Sequence, residues 1–334
     1  MLASATSTVT ARKRGITLSF GPLARLLLLI ALAVAVIVIF MTINSRGNWD
    51  FVLPFRGRKV LAMVMVGWSI AVSTVMFQTI TGNRILTPSI MGFDALYMLI
   101  QTVAVFFLGS ASLIAIDNRM RFGAEVIAMT GFSLVLYWWL FIRADRGLDL
   151  LMLIGIVFGV MFRSVTNLLQ RVIDPAEFAV LQDIGFASFN AVDETLLGVT
   201  TVLVIAISLI VWRMRYELDT VSLGRQTAIS LGVDYRRVVM MALAMVSVLV
   251  SVSTALVGPI TFFGLLVVHI AYLLIGSPYH RFILPAAAAI AVITLIAGQL
   301  VLERVFTFNT SLSIIIEFAG GLTFIALLLR GRAK

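Results

Sequence analysis

Long unbroken runs of apolar residues, separated by a few charged or turn-forming positions, recur along almost the whole chain. Windows of about 19 residues isolate ten of them, at 23–43, 60–80, 91–108, 123–142, 148–168, 196–212, 238–257, 260–275, 282–302 and 312–329. Each is continuous rather than alternating, and in hydrocarbon only an α-helix satisfies the backbone N–H and C=O groups of such a segment within itself, so a β-barrel is excluded. The pattern predicts an all-α polytopic membrane protein with ten transmembrane helices in a single domain over 23–330. Short tails, 1–22 and 331–334, flank it. Gly258-Pro259 predicts a break between the seventh and eighth runs, because proline removes a donor and fixes φ.

Composition narrows the chemistry. Of 334 residues 61% are hydrophobic and 12% charged, against about a quarter charged in soluble domains. Zero cysteines exclude disulfides, thiolate metal sites and thiol nucleophiles, and two histidines, His269 and His280, make a poor metal site, so no metal or cofactor is expected. No Gly-x-x-x-x-Gly-Lys-Ser/Thr run is present to cradle a nucleotide. Transport remains. The first run is longer than a signal-peptide core and has no small-x-small cleavage site, so it reads as an uncleaved membrane helix.

The net charge of +9 is dispersed among the connections rather than gathered in a strip, which argues against nucleic acid and for topology determinants. With an even helix count, placing both termini in the cytoplasm puts 16 of the 25 Lys and Arg residues inside and leaves nine outside, Arg163 counted outside. Four of those nine crowd between Arg46 and Lys59, against the rule, which points to an acidic partner on the outer face.

Two connections are long enough to hold structure. Residues 170–195 mix five carboxylates with Phe178, Phe186 and Phe189 and predict a short amphipathic helix on the outer membrane surface. Residues 213–237 hold a second short helix, with Ala228, Ile229 and Leu231 as its apolar patch and Gly232 as its stop. A half-apolar helix displayed in the cytoplasm is a docking element.

From about residue 55 onward the chain resembles the FecCD family, the permease subunits of bacterial ABC importers for iron–siderophore complexes, haem and cobalamin. The resemblance rests on Arg56-Gly-Arg-Lys59, Gln78, Asn83-Arg-Ile-Leu-Thr-Pro88, Ala228 with Leu231-Gly-Val233, and Gly258-Pro-Ile-Thr-Phe-Phe-Gly-Leu-Leu-Val-Val-His-Ile-Ala271. The stretch 83–97 is most similar to permeases for catecholate siderophores of the petrobactin or vibriobactin kind. Arg58, Lys59, Val268 and Tyr272 depart from the family pattern. The resemblance implies a multi-pass plasma-membrane protein. Its implied partners are a second permease subunit, identical or paralogous, two cytoplasmic ATPase subunits, an extracytoplasmic siderophore-binding protein, a ferric siderophore and membrane lipid.

On this resemblance Arg56, Lys59 and Arg304 are expected to dock the binding protein, and Ala228, Leu231, Gly232 and Val233 to couple to the ATPase. Gln78, Glu125 and Arg163 are polar positions within membrane runs and candidates for the translocation path, although a bond across helices for Gln78, and ion pairing or snorkelling for Glu125 and Arg163, explain them equally. The competing function is an ion-coupled secondary transporter, whose marks would be paired midplane charges, broken helices and two repeats. No convincing repeat is evident, and a coupling helix has no purpose there.

Overall fold

The structure, a computed structural model, describes residues 21–43, 49–139, 148–190, 192–307 and 310–331. The expected tails, and Arg12, Lys13, Arg14, Arg46, Arg143 and Arg146 among the charges that set the topology, lie outside the described residues, apart from the helical positions at each junction. The elements are helical: α1 Pro22–Thr42, α2 Trp49–Thr81, α3 Phe93–Leu108, α4 Ser110–Ala115, α5 Asn118–Tyr137, α6 Leu148–Gln170 and α7 Pro175–Ile184. They continue as α8 Glu194–Val221, α9 Arg225–Ser230, α10 Tyr235–Val257, α11 Phe263–Ile275, α12 His280–Arg304 and α13 Leu312–Gly331. A 3-10 turn, Pro88–Met91, precedes α3.

Every one of the ten apolar runs finds a helix. Seven described helices are long and apolar enough to cross a membrane, and α3, α11 and α13 are shorter apolar ones. The helices overrun the apolar runs wherever charges flank them. α2 begins eleven residues before its run and passes through Arg56 to Lys59, and α8 continues past Trp212 through Arg213, Arg215, Glu217 and Asp219. Charged side chains do not stop a helix that leaves the hydrocarbon, since Arg, Lys and Glu are good helix formers in water.

The centre of the bundle is an antiparallel pair, α2 and α12, with α10 and α11 against it. Close approach comes from small residues: a Cβ on Gly67 would stand 3.3 Å from the Ala291 Cβ, and Ala286 to Ala289 are buried along α12. Gly155 and Gly159 have the spacing for a helix–helix contact, yet they receive Met91 and Gly92 instead. Gly92 has φ +91°, and a Cβ there would lie 2.7 Å from the Gly159 Cα. The 3-10 turn is thereby seated against the middle of α6, and α3 starts inside the bundle rather than at its edge.

The expected surface helix in the 170–195 connection is α7, opened by Asp174, whose carboxylate accepts from Ala176 N–H, and by Pro175 at its first turn. After it the chain dips back among the helices. Ser188 N–H donates to the Val257 carbonyl at 2.8 Å and Ala187 N–H to Ser313 Oγ at 2.8 Å. The Gly258-Pro259 break falls between α10 and α11 as expected, with Gly258 at φ +97°.

Candidate docking ends and an intramembrane polar seam

At the end of the bundle away from α9, the starts of α2, α5 and α8 meet the end of α12. Arg56 turns back onto α1, and its guanidinium donates to the carbonyls of Phe40 at 2.9 Å and Ile43 at 2.6 Å, capping carbonyls that a helix terminus leaves free. Arg58 is exposed and reaches Glu194 at 3.4 Å. Arg119 donates to Thr195 Oγ1 at 3.0 Å. Asp193 caps α8, and the backbone N–H of Leu196, seconded by that of Thr195, holds its carboxyl below the usual carboxylate range. Arg304 is exposed at the end of α12.

Lys59 differs from the surface residue expected. It is 6% exposed, with its ammonium 3.1 Å from Glu303 Oε1. The same oxygen accepts from Gln299 Nε2 at 2.9 Å, and Gln299 also reaches Asn190 at 3.3 Å. The physical reason is that α12 offers a carboxylate one helix away, and a buried ammonium is tolerable only where it is paired and hydrogen-bonded. Lys59 is thus an internal bridge from α2 to α12, and the exposed cations beside it are Arg58 and Arg304.

At the opposite end α9 is a helix of six residues closed by a left-handed glycine. Gly232 has φ +83°, its N–H donates to the Ile229 carbonyl, and Val233 N–H donates to the Ala228 carbonyl, both at 3.0 Å. That pair of bonds is the Schellman stop anticipated at Gly232. Ala228 is fully buried and roots the helix on the bundle, while Ile229 and Leu231 are exposed, Leu231 at 63%. A Cβ on Gly232 would meet no atom within 4 Å, so the space beside it is open.

The polar positions inside the bundle fall into three groups. Glu125 is buried and accepts from Gln101 Nε2 at 2.6 Å, with Arg121 at 3.5 Å one turn before it. Gln78 is buried and donates to the Arg84 carbonyl at 2.8 Å, which ties the end of α2 to the loop that follows. Asp94, at the start of α3, is buried, and among the described residues its Oδ2 finds no hydrogen-bond partner. Arg163 is exposed on α6 among apolar neighbours, where a charge is costly unless it meets a polar compartment or the interface. Among the described residues no group of three His, Asp or Glu side chains is placed to hold a metal ion.

The sequence profile of the FecCD transport family matches residues 23–330. The chain belongs to the FecCD transport family. It is 48% identical over 306 residues to the petrobactin import system permease protein YclO of Bacillus subtilis, covering 92% of this chain and 97% of that one. It is 36% identical to the petrobactin import system permease protein FatC of Bacillus anthracis, over 82% and 77% of the two chains. Among solved structures, one described as an inward-facing conformation of a metal-chelate type ABC transporter superposes with a TM-score of 0.81 at 22% identity, over 92% and 99% of the two chains. That last likeness establishes the fold.

In this FecCD chain the site residues read from sequence occupy two ends and an interior. Ala228, Leu231, Gly232 and Val233 come together in one motif. Arg56, Lys59 and Arg304 share the other end but not one surface. Gln78, Glu125 and Arg163 are not brought together: the first two bond within the chain and the third faces outward. Sequence reasoning missed Asp94, Asp219 and the partner of Lys59. Asp94 carried a signal, an acid inside an apolar run two residues after a glycine, whereas the pairing of Asp219 with His280 joins residues 61 apart and left none.

Proposed function

We propose that the chain is the permease subunit of an ABC importer that carries a ferric siderophore across the bacterial plasma membrane, with ATP hydrolysed on a separate subunit. The observation that carries this reading is α9, a short helix rooted by Ala228 and presenting Ile229 and Leu231 outward, in a bundle of FecCD descent. Such an element suits a groove on a soluble partner, and the partner that fits is the ATPase the family uses. The likeness to petrobactin permeases supports a catecholate chelate of that kind as substrate. The α9 end, Arg84, Arg281 and both termini then face the cytoplasm, and the Arg56 end faces outward.

In this reading two permeases, identical or paralogous, enclose the path, and each docks one ATPase at α9 and one lobe of a binding protein at the opposite end. Arg304 and Arg58 offer the exposed charge there and Arg56 fixes the frame, with Lys59 holding α2 to α12 behind them. Arg163 on the exposed face of α6 and the Asp94 group below it supply polarity along the path. The ATPase docks, closes and shifts α9, and the helices move as bodies to alternate access.

The test is uptake in vesicles containing the chain, its partner permease and the ATPase, with the binding protein supplied on the outer face. Accumulation of ferric petrobactin should require ATP and the ATPase subunit. Accumulation by the purified chain alone, driven only by a proton gradient, would establish the secondary-transporter reading instead.

A further inference from the structure

Three helices meet at one buried histidine beside α9. His280 is the first residue of α12 and is 2% exposed. Asp219, two residues before the end of α8, accepts with one oxygen from the His280 backbone N–H at 2.8 Å and holds the ring Nδ1 at 2.6 Å. The other ring nitrogen, Nε2, lies 2.7 Å from the hydroxyl of Thr79, near the end of α2. Thr79 Oγ1 also lies 2.8 Å from the Val75 carbonyl of its own helix, so its single proton serves either that carbonyl or, when Nε2 carries no proton, the ring. The carboxylate also serves the N-terminus of α12, where free N–H groups and the helix dipole favour an anion.

Asp219 sits where a load on α9 would arrive. Only Ser222, Leu223 and Gly224 separate α8 from α9, and Gly224 has φ +100°. A cavity of about 310 Å³ beside this link is lined by Thr79, Gly82, Val221, Ser222, Gly224 and Tyr235, so the link has room to shift. The bridge does not: drawing α8 about 1 Å away from α12 along the 2.6 Å Asp219–Nδ1 bond lengthens it to about 3.6 Å, out of hydrogen-bonding range. Beyond the bridge, α2 and α12 run together to the Lys59–Glu303 pair, about 35 Å away along α12 from His280 to Glu303.

We propose that His280 is the positioning residue that carries displacement of α9 into the α2–α12 pair, by bonding α8, α12 and α2 into one body through Asp219 and Thr79. This rests on the reading of α9 as the ATPase contact. It makes the far end of the bundle respond to the near end through a specific side chain rather than through general packing.

The experiment uses the reconstituted complex of chain, partner permease, ATPase and binding protein, with ferric petrobactin as the probe. His280→Ala should retain the ATPase on co-purification and keep hydrolysis near the wild-type rate, while uptake per ATP falls about tenfold or more, equivalent to about 1.4 kcal/mol of lost coupling. His280→Asn keeps reach to Asp219 and His280→Gln keeps reach to Thr79, and neither restores coupling because each spans only half of the bridge. Asp219→Asn still offers an oxygen to both His280 donors and should retain uptake per ATP near wild type, whereas Asp219→Ala should lose it. A wild-type ratio in His280→Ala or Asp219→Ala overturns the proposal, as does Asp219→Asn behaving like Asp219→Ala. Should His280→Ala fail to elute as folded protein, the Asp219 pair decides. Failure of the unmodified chain to retain the ATPase overturns the coupling reading and the bridge with it, and is seen before any variant is made.

Discussion

Replacing Lys59 by methionine separates an internal bridge from a surface contact. Methionine keeps the length and the apolar stem of the side chain and removes its charge. The ammonium and carboxylate stand 3.1 Å apart with side-chain exposures of 7% and 14%, so their attraction at an effective dielectric of 20 is about 5 kcal/mol before desolvation is counted. The single variant leaves the largely covered Glu303 carboxylate with the Gln299 amide donating to it but no cation, and breaking a buried pair from one side costs about 3–5 kcal/mol. Lys59→Met should therefore lower stability by about 3 kcal/mol, reduced if Glu303 takes up a proton. Lys59→Met with Glu303→Leu should recover to within about 1 kcal/mol of wild type, because the desolvation cost is removed along with the attraction. Equilibrium unfolding in mixed micelles, followed by tryptophan fluorescence, gives the four corners of the cycle. A coupling energy near zero, with Lys59→Met as stable as wild type, would refute the buried bridge. A loss of binding-protein affinity at unchanged stability would return Lys59 to the surface.

Charge reversal at Arg304 and Arg58 should weaken association of the binding protein and flatten its salt dependence, since exposed complementary charges are screened within about 8 Å at physiological salt; surface plasmon resonance across a salt series checks this, and unchanged affinity sinks it. Gly232→Leu imposes about 1–2 kcal/mol of left-handed backbone strain but no clash within the chain, so folding by size-exclusion profile should survive while ATP-driven uptake collapses. Gly92→Val, at φ +91° and against the Gly159 backbone, should by contrast destabilise the fold itself and lower the yield of monodisperse protein. Asp193→Ala should cost about 1 kcal/mol at neutral pH by uncapping α8. The folded carboxyl titrates below its ordinary value, so that contribution is present above the usual carboxylate range and fades as pH falls through the lowered one; Asp193→Asn, which still caps, should remove the pH dependence.

The apolar helices, their order and the short helix at α9 were legible in the sequence because each depends on local quantities. A run of about 20 apolar residues has only the helix open to it in hydrocarbon, and a glycine placed after a short apolar patch stops that helix wherever it is put. The family motifs were legible for the same reason, being contiguous residues. What the chain alone did not determine is which polar side chains face one another. Lys59 and Arg56 lie three residues apart and looked alike, yet one is paired inside with Glu303 and the other caps α1, because α12 and α1 happen to present a carboxylate and free carbonyls on those two sides. The spacing of Gly155 and Gly159 is compatible with a close approach but common by chance, and only the tertiary structure showed that the 3-10 turn at Met91 and Gly92 fills it. His280 and Asp219 are unremarkable in sequence and become a bridge only when α8, α12 and α2 converge. Burial raises the cost of an unpartnered charge, so the fold, which alone decides burial, also decides which charges must find partners.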